Sequence, residues 1–262
     1  MSRTLRLVSL QLRVNLARAA AYRADFLIEG AMTLGTMALT LLPLIVLFDS
    51  RETVAGWDRP SALVVIAYFM AVEAILEGLV NPSLVDLVER IRTGAFDYVL
   101  LKPVDAQLVV STSRQEPWKI LDLLGALGVA VYAFWQKGEP PAPLDVVLGL
   151  VLLATGVLAM YALWIACAAA SFWVVRLDNL VYLIGAVFDA ARWPIQVFRG
   201  VWRFVFTFVI PVAIMTTYPA MALLGKLDLR AALATVAGTA VMLAISRLIW
   251  RTAIRSYTSA SS

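Results

Sequence analysis

Long apolar stretches, separated by short clusters of charge, proline and glycine, set the pattern of this chain. Those at 26–48, 61–80, 117–135, 144–175 and 231–250 match or approach the roughly 20 apolar residues that carry a helix across a bilayer. Pro43 lies inside the first, which lipid-embedded helices tolerate when neighbours satisfy the freed carbonyl. The stretch at 144–175 is longer than the bilayer requires, so it is expected to tilt or project. Between 179 and 224 the pattern breaks. Leu180 to Val187 runs into Asp189, Arg192, Pro194, Arg199 and Arg203, and the apolar piece after Phe204 is interrupted by Pro211 and Pro219. Residues 2–23 alternate leucines and valines with Arg3, Arg6, Arg13, Arg18 and Arg23, the pattern of an amphipathic helix lying in the membrane interface. That arm is too long and too charged for a signal-peptide n-region. The predicted fold is an all-α polytopic membrane protein forming one unit over 1–262, with about six transmembrane helices, an interfacial helix at 1–24 and a broken or re-entrant fifth region at 179–224.

Composition agrees with lipid as the second solvent. The chain is 61% hydrophobic and 15% charged, whereas soluble domains run at about 45–50% and about 25%. It has no histidine, which removes Ser–His and Cys–His dyads, the usual zinc sites and the commonest general base. The one cysteine, Cys167, cannot form an intrachain disulfide or a cysteine metal site. No G-x-x-x-x-G-K-[ST] or G-x-S-x-G occurs, so neither a catalytic centre nor a metal site is expected. The net charge of +4 does not point to nucleic acid, because the arginines cluster beside apolar spans as topology signals. The arm, the 81–116 segment (Arg90, Arg92, Lys102, Arg114) and the C-terminal end (Arg247, Arg251, Arg255) are basic, while the 49–60 and 136–143 loops are balanced by acids. The positive-inside rule then places both termini and 81–116 in the cytoplasm of a multi-pass protein of the inner or plasma membrane. An even number of crossings follows, so 179–224 is expected to cross once in net terms, beside a re-entrant piece.

Several residues carry candidate chemistry. Glu73 and Glu77 are four apart and share one helical face; carboxylates inside a span are costly and point to a pathway, unless they reach the headgroups or bond to neighbouring helices. Arg192, Arg199 and Arg203 have spacings that roughly gather them on one side of a helix, as snorkelling cations or along an anionic path. With Asp189, Pro211 and Pro219 they make 179–224 a candidate functional element beside the pathway. Gly149, Gly156, Ala166 and Ala170 permit close packing of the fourth span, within the subunit or across a dimer. After the second span, Asn81-Pro82-Ser83 is expected to end one helix and start another, short and charged, up to Arg92. Gly94 stops it, and an apolar stretch leads to Lys102-Pro103.

The run Glu89-Arg90-Ile91-Arg92-Thr93-Gly94-Ala95-Phe96-Asp97-Tyr98-Val99-Leu100-Leu101-Lys102-Pro103 resembles the I-x-x-G-x-h-D-x-x-L-h-x-P stretch of permease subunits of type-2 ABC exporters. Phe172-Trp173, Ile210-Pro211-Val212-Ala213 and Tyr218-Pro219-Ala220 match as well, and the architecture is similar over nearly the whole chain. The resemblance implies a permease subunit that pairs with an identical or sister permease to form a pathway, with short re-entrant helices of the broken 179–224 region as its outer gate. A soluble P-loop ATPase would dock on the helix after the second span. The chain itself would bind no cofactor, ATP and Mg entering through that partner. By resemblance the coupling residues are Asp86, Glu89, Arg90, Ile91, Arg92, Gly94, Asp97 and Pro103, with Asp86, Glu89, Arg90 and Arg92 contacting the motor and Gly94 and Pro103 shaping the segment. The rival readings are a secondary transporter using Glu73 and Glu77 for ion coupling, which usually shows repeated halves, and a membrane-embedded enzyme. No internal repeat and no acidic or histidine motif speaks for either.

Overall fold

A computed structural model of the chain describes residues 9–11, 13–15, 17, 23–173, 188–209 and 211–257. Most of the arm, the apolar piece Leu180 to Val187 and Ile210 lie outside the described residues; residues 9–11, 13–15 and 17 are helical. The helices are α1 (Arg23–Asp49), α2 (Arg59–Ile75), α3 (Asn81–Arg92), α4 (Asp97–Leu100), α5 (Ala106–Ser111), α6 (Ile120–Lys137), α7 (Pro143–Ala170), α8 (Val201–Phe204), α9 (Tyr218–Leu223) and α10 (Leu229–Ser256). Among the described residues, five runs are long and apolar enough to cross a membrane: Ile28–Asp49, Arg59–Arg92, Pro117–Lys137, Pro143–Ala170 and Leu229–Ser256, with a shorter apolar run at Ala213–Leu223.

Between α1 and α2 the chain makes a two-stranded hairpin, Thr53–Val54 against Trp57–Asp58, closed by Ala55 and Gly56 at φ of 50° and 83°. Positive φ at both turn positions matches the right-handed twist of the strands. Trp57 looks like an interfacial anchor in sequence, but it is buried, and its indole N–H donates to Gln196 Oε1 at 3.2 Å.

α2 is the central post. Residues 61–72 are buried throughout, and α6, α7, α9 and the Ala213–Thr217 turn pack on it. α1, α6 and α10 instead turn leucines and valines outward, including Leu34, Leu39, Leu127, Val131, Leu233 and Leu248, as lipid-facing helices do.

The expected break at Asn81-Pro82 does not occur. α2 passes through one π turn, Leu76–Val80, directly into α3, giving a single rod from Arg59 to Arg92. Pro82 has no N–H for the carbonyl of Gly78, four residues back; that carbonyl accepts the backbone N–H of Glu116 at 2.8 Å instead. Asn81 adopts helical φ and ψ of −57° and −47°, and its amide donates to the Glu77 carboxylate at 3.0 and 3.1 Å rather than capping a new helix. At 1.5 Å per residue, 34 residues span about 50 Å, longer than the roughly 30 Å of hydrocarbon in a bilayer.

The irregular backbone between Phe188 and Gly200 is satisfied by protein. Thr216 Oγ1 donates to the Ala191 carbonyl at 2.8 Å, and Thr217 Oγ1 accepts from the Ile195 N–H at 3.1 Å; both threonines are fully buried. Backbone breaks at membrane depth survive only under such cover. Gly156 of α7 permits it: a Cβ there would sit 2.8 Å from Met215 Cα. Gly149 packs against Tyr68 and Leu223, so these two small residues of the fourth span serve contacts inside the subunit. α7 ends at Ala170 and continues as turns through Trp173; the expected span reached Val175, which is outside the described residues.

Candidate functional site

The arm, the 81–116 segment and the end of α10 meet at one end of the bundle. Thr112 Oγ1 donates to Gln11 Oε1 at 2.8 Å, and the Arg247 guanidinium pairs with Asp105. α3 is two-sided: Leu84 and Leu87 are buried, while Val85, Glu89 and Arg92 are exposed. Its last turn closes through Thr93 N–H to the Glu89 carbonyl at 2.9 Å, and Gly94 takes a left-handed φ of 76°. The Phe96 N–H then bonds back to the Arg90 carbonyl at 3.0 Å, folding the chain inward.

Phe96 is fully buried and sits edge-on to Phe172, Tyr257 and Trp250, with ring centroids 5.1, 5.3 and 6.3 Å away. Such aromatic pairs contribute about 0.5–1.5 kcal/mol each beyond their area, so the cluster fastens the segment to the ends of α7 and α10. Asp105 accepts from the Leu108 N–H at 3.2 Å, capping α5. Arg247 hydrogen-bonds to Asp105 and reaches Gln107 Oε1 at 2.5 Å. These bonds hold the Asp105 carboxyl below the ordinary carboxylate range. At the root of the segment, Ser83 Oγ donates to the Arg114 carbonyl at 2.6 Å and accepts from the Arg114 N–H at 3.0 Å.

The coupling residues named from sequence divide into two groups. Asp86 and Arg90 face inward: Asp86 Oδ2 accepts from Arg90 Nε at 2.7 Å and from Ser113 Oγ at 3.0 Å. Ile91 packs partly buried against the core. Glu89 and Arg92 pair with each other at 2.6 Å on the exposed side. Asp97 opens α4, and Pro103 is exposed after it. Sequence reasoning missed Tyr98 and Leu101, which are 71% and 79% exposed. The signal was present: Phe96 and Val99 point in, and Tyr98 and Leu101 follow at the same spacing on the other side.

Of the candidate gate residues, the fold brings together Glu73, Asp189 and Arg192. Glu73 on α2 lies among the charges of Asp189, Glu77, Lys119 and Arg192. Arg192 pairs with Asp189 at 3.0 Å, and its guanidinium lies 5.5 Å over the Phe69 ring, on which Phe188 stacks at 5.2 Å. Arg199 and Arg203 do not join them. Pro194 and Gly200, the latter at φ 57°, interrupt the helix that the spacing assumed, and both arginines are exposed. Pro211 is buried, its carbonyl accepting the Ile214 N–H at 3.0 Å, and Pro219 is buried in the first turn of α9. Asp122 accepts from the Thr33 hydroxyl and from Lys119 Nζ, tying α1 to α6. Among the described residues no three Asp, Glu or Cys side chains gather as a metal site.

A bundle of membrane-length apolar helices, with charged groups held against its central helix and a polar segment braced at one end, has the build of a membrane transport protein. Residues 34–261 match the ABC-2 family transporter protein family, and the chain belongs to it. It is the permease component of an ABC transporter, a membership that implies an ABC ATPase subunit as partner. No curated protein and no solved structure matches the chain.

Proposed function

We propose that this chain is the membrane half of an ATP-driven exporter and docks its ATPase on the outer face of the 81–116 segment. The observation that carries this reading is the segment's two-sidedness. Its inner side is fixed by the Phe96 cluster, the Asp86–Arg90–Ser113 group and the Asp105–Arg247 pair. Its outer side leaves Glu89, Arg92, Tyr98, Leu101 and Pro103 open. A surface braced from behind can receive a push without yielding. Both termini share the cytoplasmic side with it, and a second permease, identical or sister, completes the pathway. ATP and Mg are held by the ATPase. Closure of the motor moves α3, and the unbroken rod carries that motion to Glu77 and Glu73 as rigid-body switching between two states. The pathway runs past Glu73, Asp189 and Arg192, with the 188–223 region as its gate.

The test is affinity purification from mild detergent. The wild type is expected to bring down a P-loop ATPase in stoichiometric amount. Glu89→Lys with Arg92→Glu is expected to insert and accumulate normally while losing most of the ATPase. Undiminished recovery of the motor by that variant would reject the docking face.

A further inference from the structure

Between the arm and the coupling segment lies a polar cleft of about 430 Å³. Arg90, Lys102 and Arg114 line it from the segment, and the arm contributes Asn15. Asp86 is the acid in its wall, and that carboxylate is already engaged by Arg90 and Ser113. Lys102 and Arg114 form no ion pair among the described residues. Asp86 matches Arg90, so the cleft keeps two cations, Lys102 and Arg114, without an acid opposite them. Asn15 is 6% exposed, and its amide nitrogen has no hydrogen-bond partner among the described residues. A buried donor left unpaired is costly, and a ligand acceptor would satisfy it.

Leu10 and Val14 also line the cleft, one helical turn apart, and remain 54% and 56% exposed. A ligand that suits this wall has an anionic head for Lys102, Arg114 and the Asn15 amide, and an apolar body beside Leu10 and Val14. The arm's alternation of leucines and arginines sets it at headgroup depth. We infer that the cleft binds the phosphodiester headgroup of an anionic phospholipid, with its acyl chains running past Leu10 and Val14. The lipid would lock the arm against the segment that turns its opposite side to the motor. The inference needs the membrane setting and not the ATPase docking, so the two are read separately.

The experiment is native mass spectrometry of the full-length protein in detergent, with added phosphatidylglycerol, phosphatidylcholine or inorganic phosphate. The wild type is expected to retain phosphatidylglycerol in preference to phosphatidylcholine. Lys102→Gln with Arg114→Gln is expected to lower that retention about tenfold, while Lys102→Arg with Arg114→Lys keeps it. Asn15→Leu, which leaves the charge unchanged, is expected to weaken retention and to remove the gain in melting temperature that phosphatidylglycerol gives the wild type. Equal retention of the two lipids, or full retention by the glutamine variant, would overturn the site. Retention of inorganic phosphate without lipid preference would overturn the lipid assignment. So would a glutamine variant that loses the co-purified ATPase while keeping its lipid, since the cleft would then receive protein.

Discussion

Gly78 shows how one residue sets the path of the chain. Its carbonyl, left without a donor by Pro82, accepts from Glu116, and its missing side chain lets the 116–119 turn lie against the rod. A Cβ at that position would meet Lys119 Cβ at 3.0 Å and the Glu116 carbonyl oxygen at 3.5 Å. Gly78→Leu is expected to cost about 1–3 kcal/mol by overpacking and to lower the melting temperature in detergent. An unchanged melting temperature would mean that the contact is slack. Asp105 gives a test in pH. Its carboxyl is held low chiefly by its hydrogen bond to Arg247, so the pair's contribution is complete above the ordinary value of about 3.9 and is lost as pH falls through the lowered one. Asp105→Asn is therefore expected to melt below the wild type at neutral pH, by a small margin because the pair is partly exposed. The margin should vanish once the wild-type carboxyl is protonated; because asparagine caps a helix as well as aspartate, one that persisted there would show that the Arg247 pair is not its source.

At the scale of elements, the rod from Arg59 to Arg92 and the segment folded behind it form one braced unit, and Phe96 is its fastening. Phe96→Ala removes a fully buried ring from the cluster with Phe172, Trp250 and Tyr257, at an expected cost of about 3–5 kcal/mol. Limited proteolysis should then cut between Thr93 and Lys102 much faster than in the wild type. An equal rate would show that the other braces suffice. Apolar runs made the spans readable from sequence, and the glycine stop and proline end made the segment readable. The continuous helix through Asn81-Pro82 was not readable. A missing N–H looks like a stop, whereas the group that satisfies Gly78 arrives from Glu116, far along the chain. Charges were legible as charges but not as inner or outer ones: Asp86 and Arg90 turned out to brace, and Glu89 and Arg92 to face outward. The grouping of Arg192, Arg199 and Arg203 failed because it assumed a helix that Pro194 and Gly200 interrupt.

At the scale of the whole molecule, the bundle separates two tasks along one axis. Leucines and valines of α1, α6 and α10 meet lipid, α2 is buried at the centre, and charged groups collect where the 188–192 stretch crosses α2 and at the segment beyond. Membership of the ABC-2 transporter family implies the partner class, and the face proposed for that partner is the outer side of the 81–116 segment. Because Cys167 is the sole cysteine, Cys167→Ser gives a thiol-free background for placing one probe at a time. The most direct measurement is cross-linking in membranes from Arg92→Cys and Tyr98→Cys, with Gln136→Cys in the last turn of α6 as the distant control. Cross-links to the ATPase from positions 92 and 98, and none from 136, are the predicted result. Absence of cross-links at 92 and 98 in a complex that still couples ATP hydrolysis to transport would contradict docking on this face.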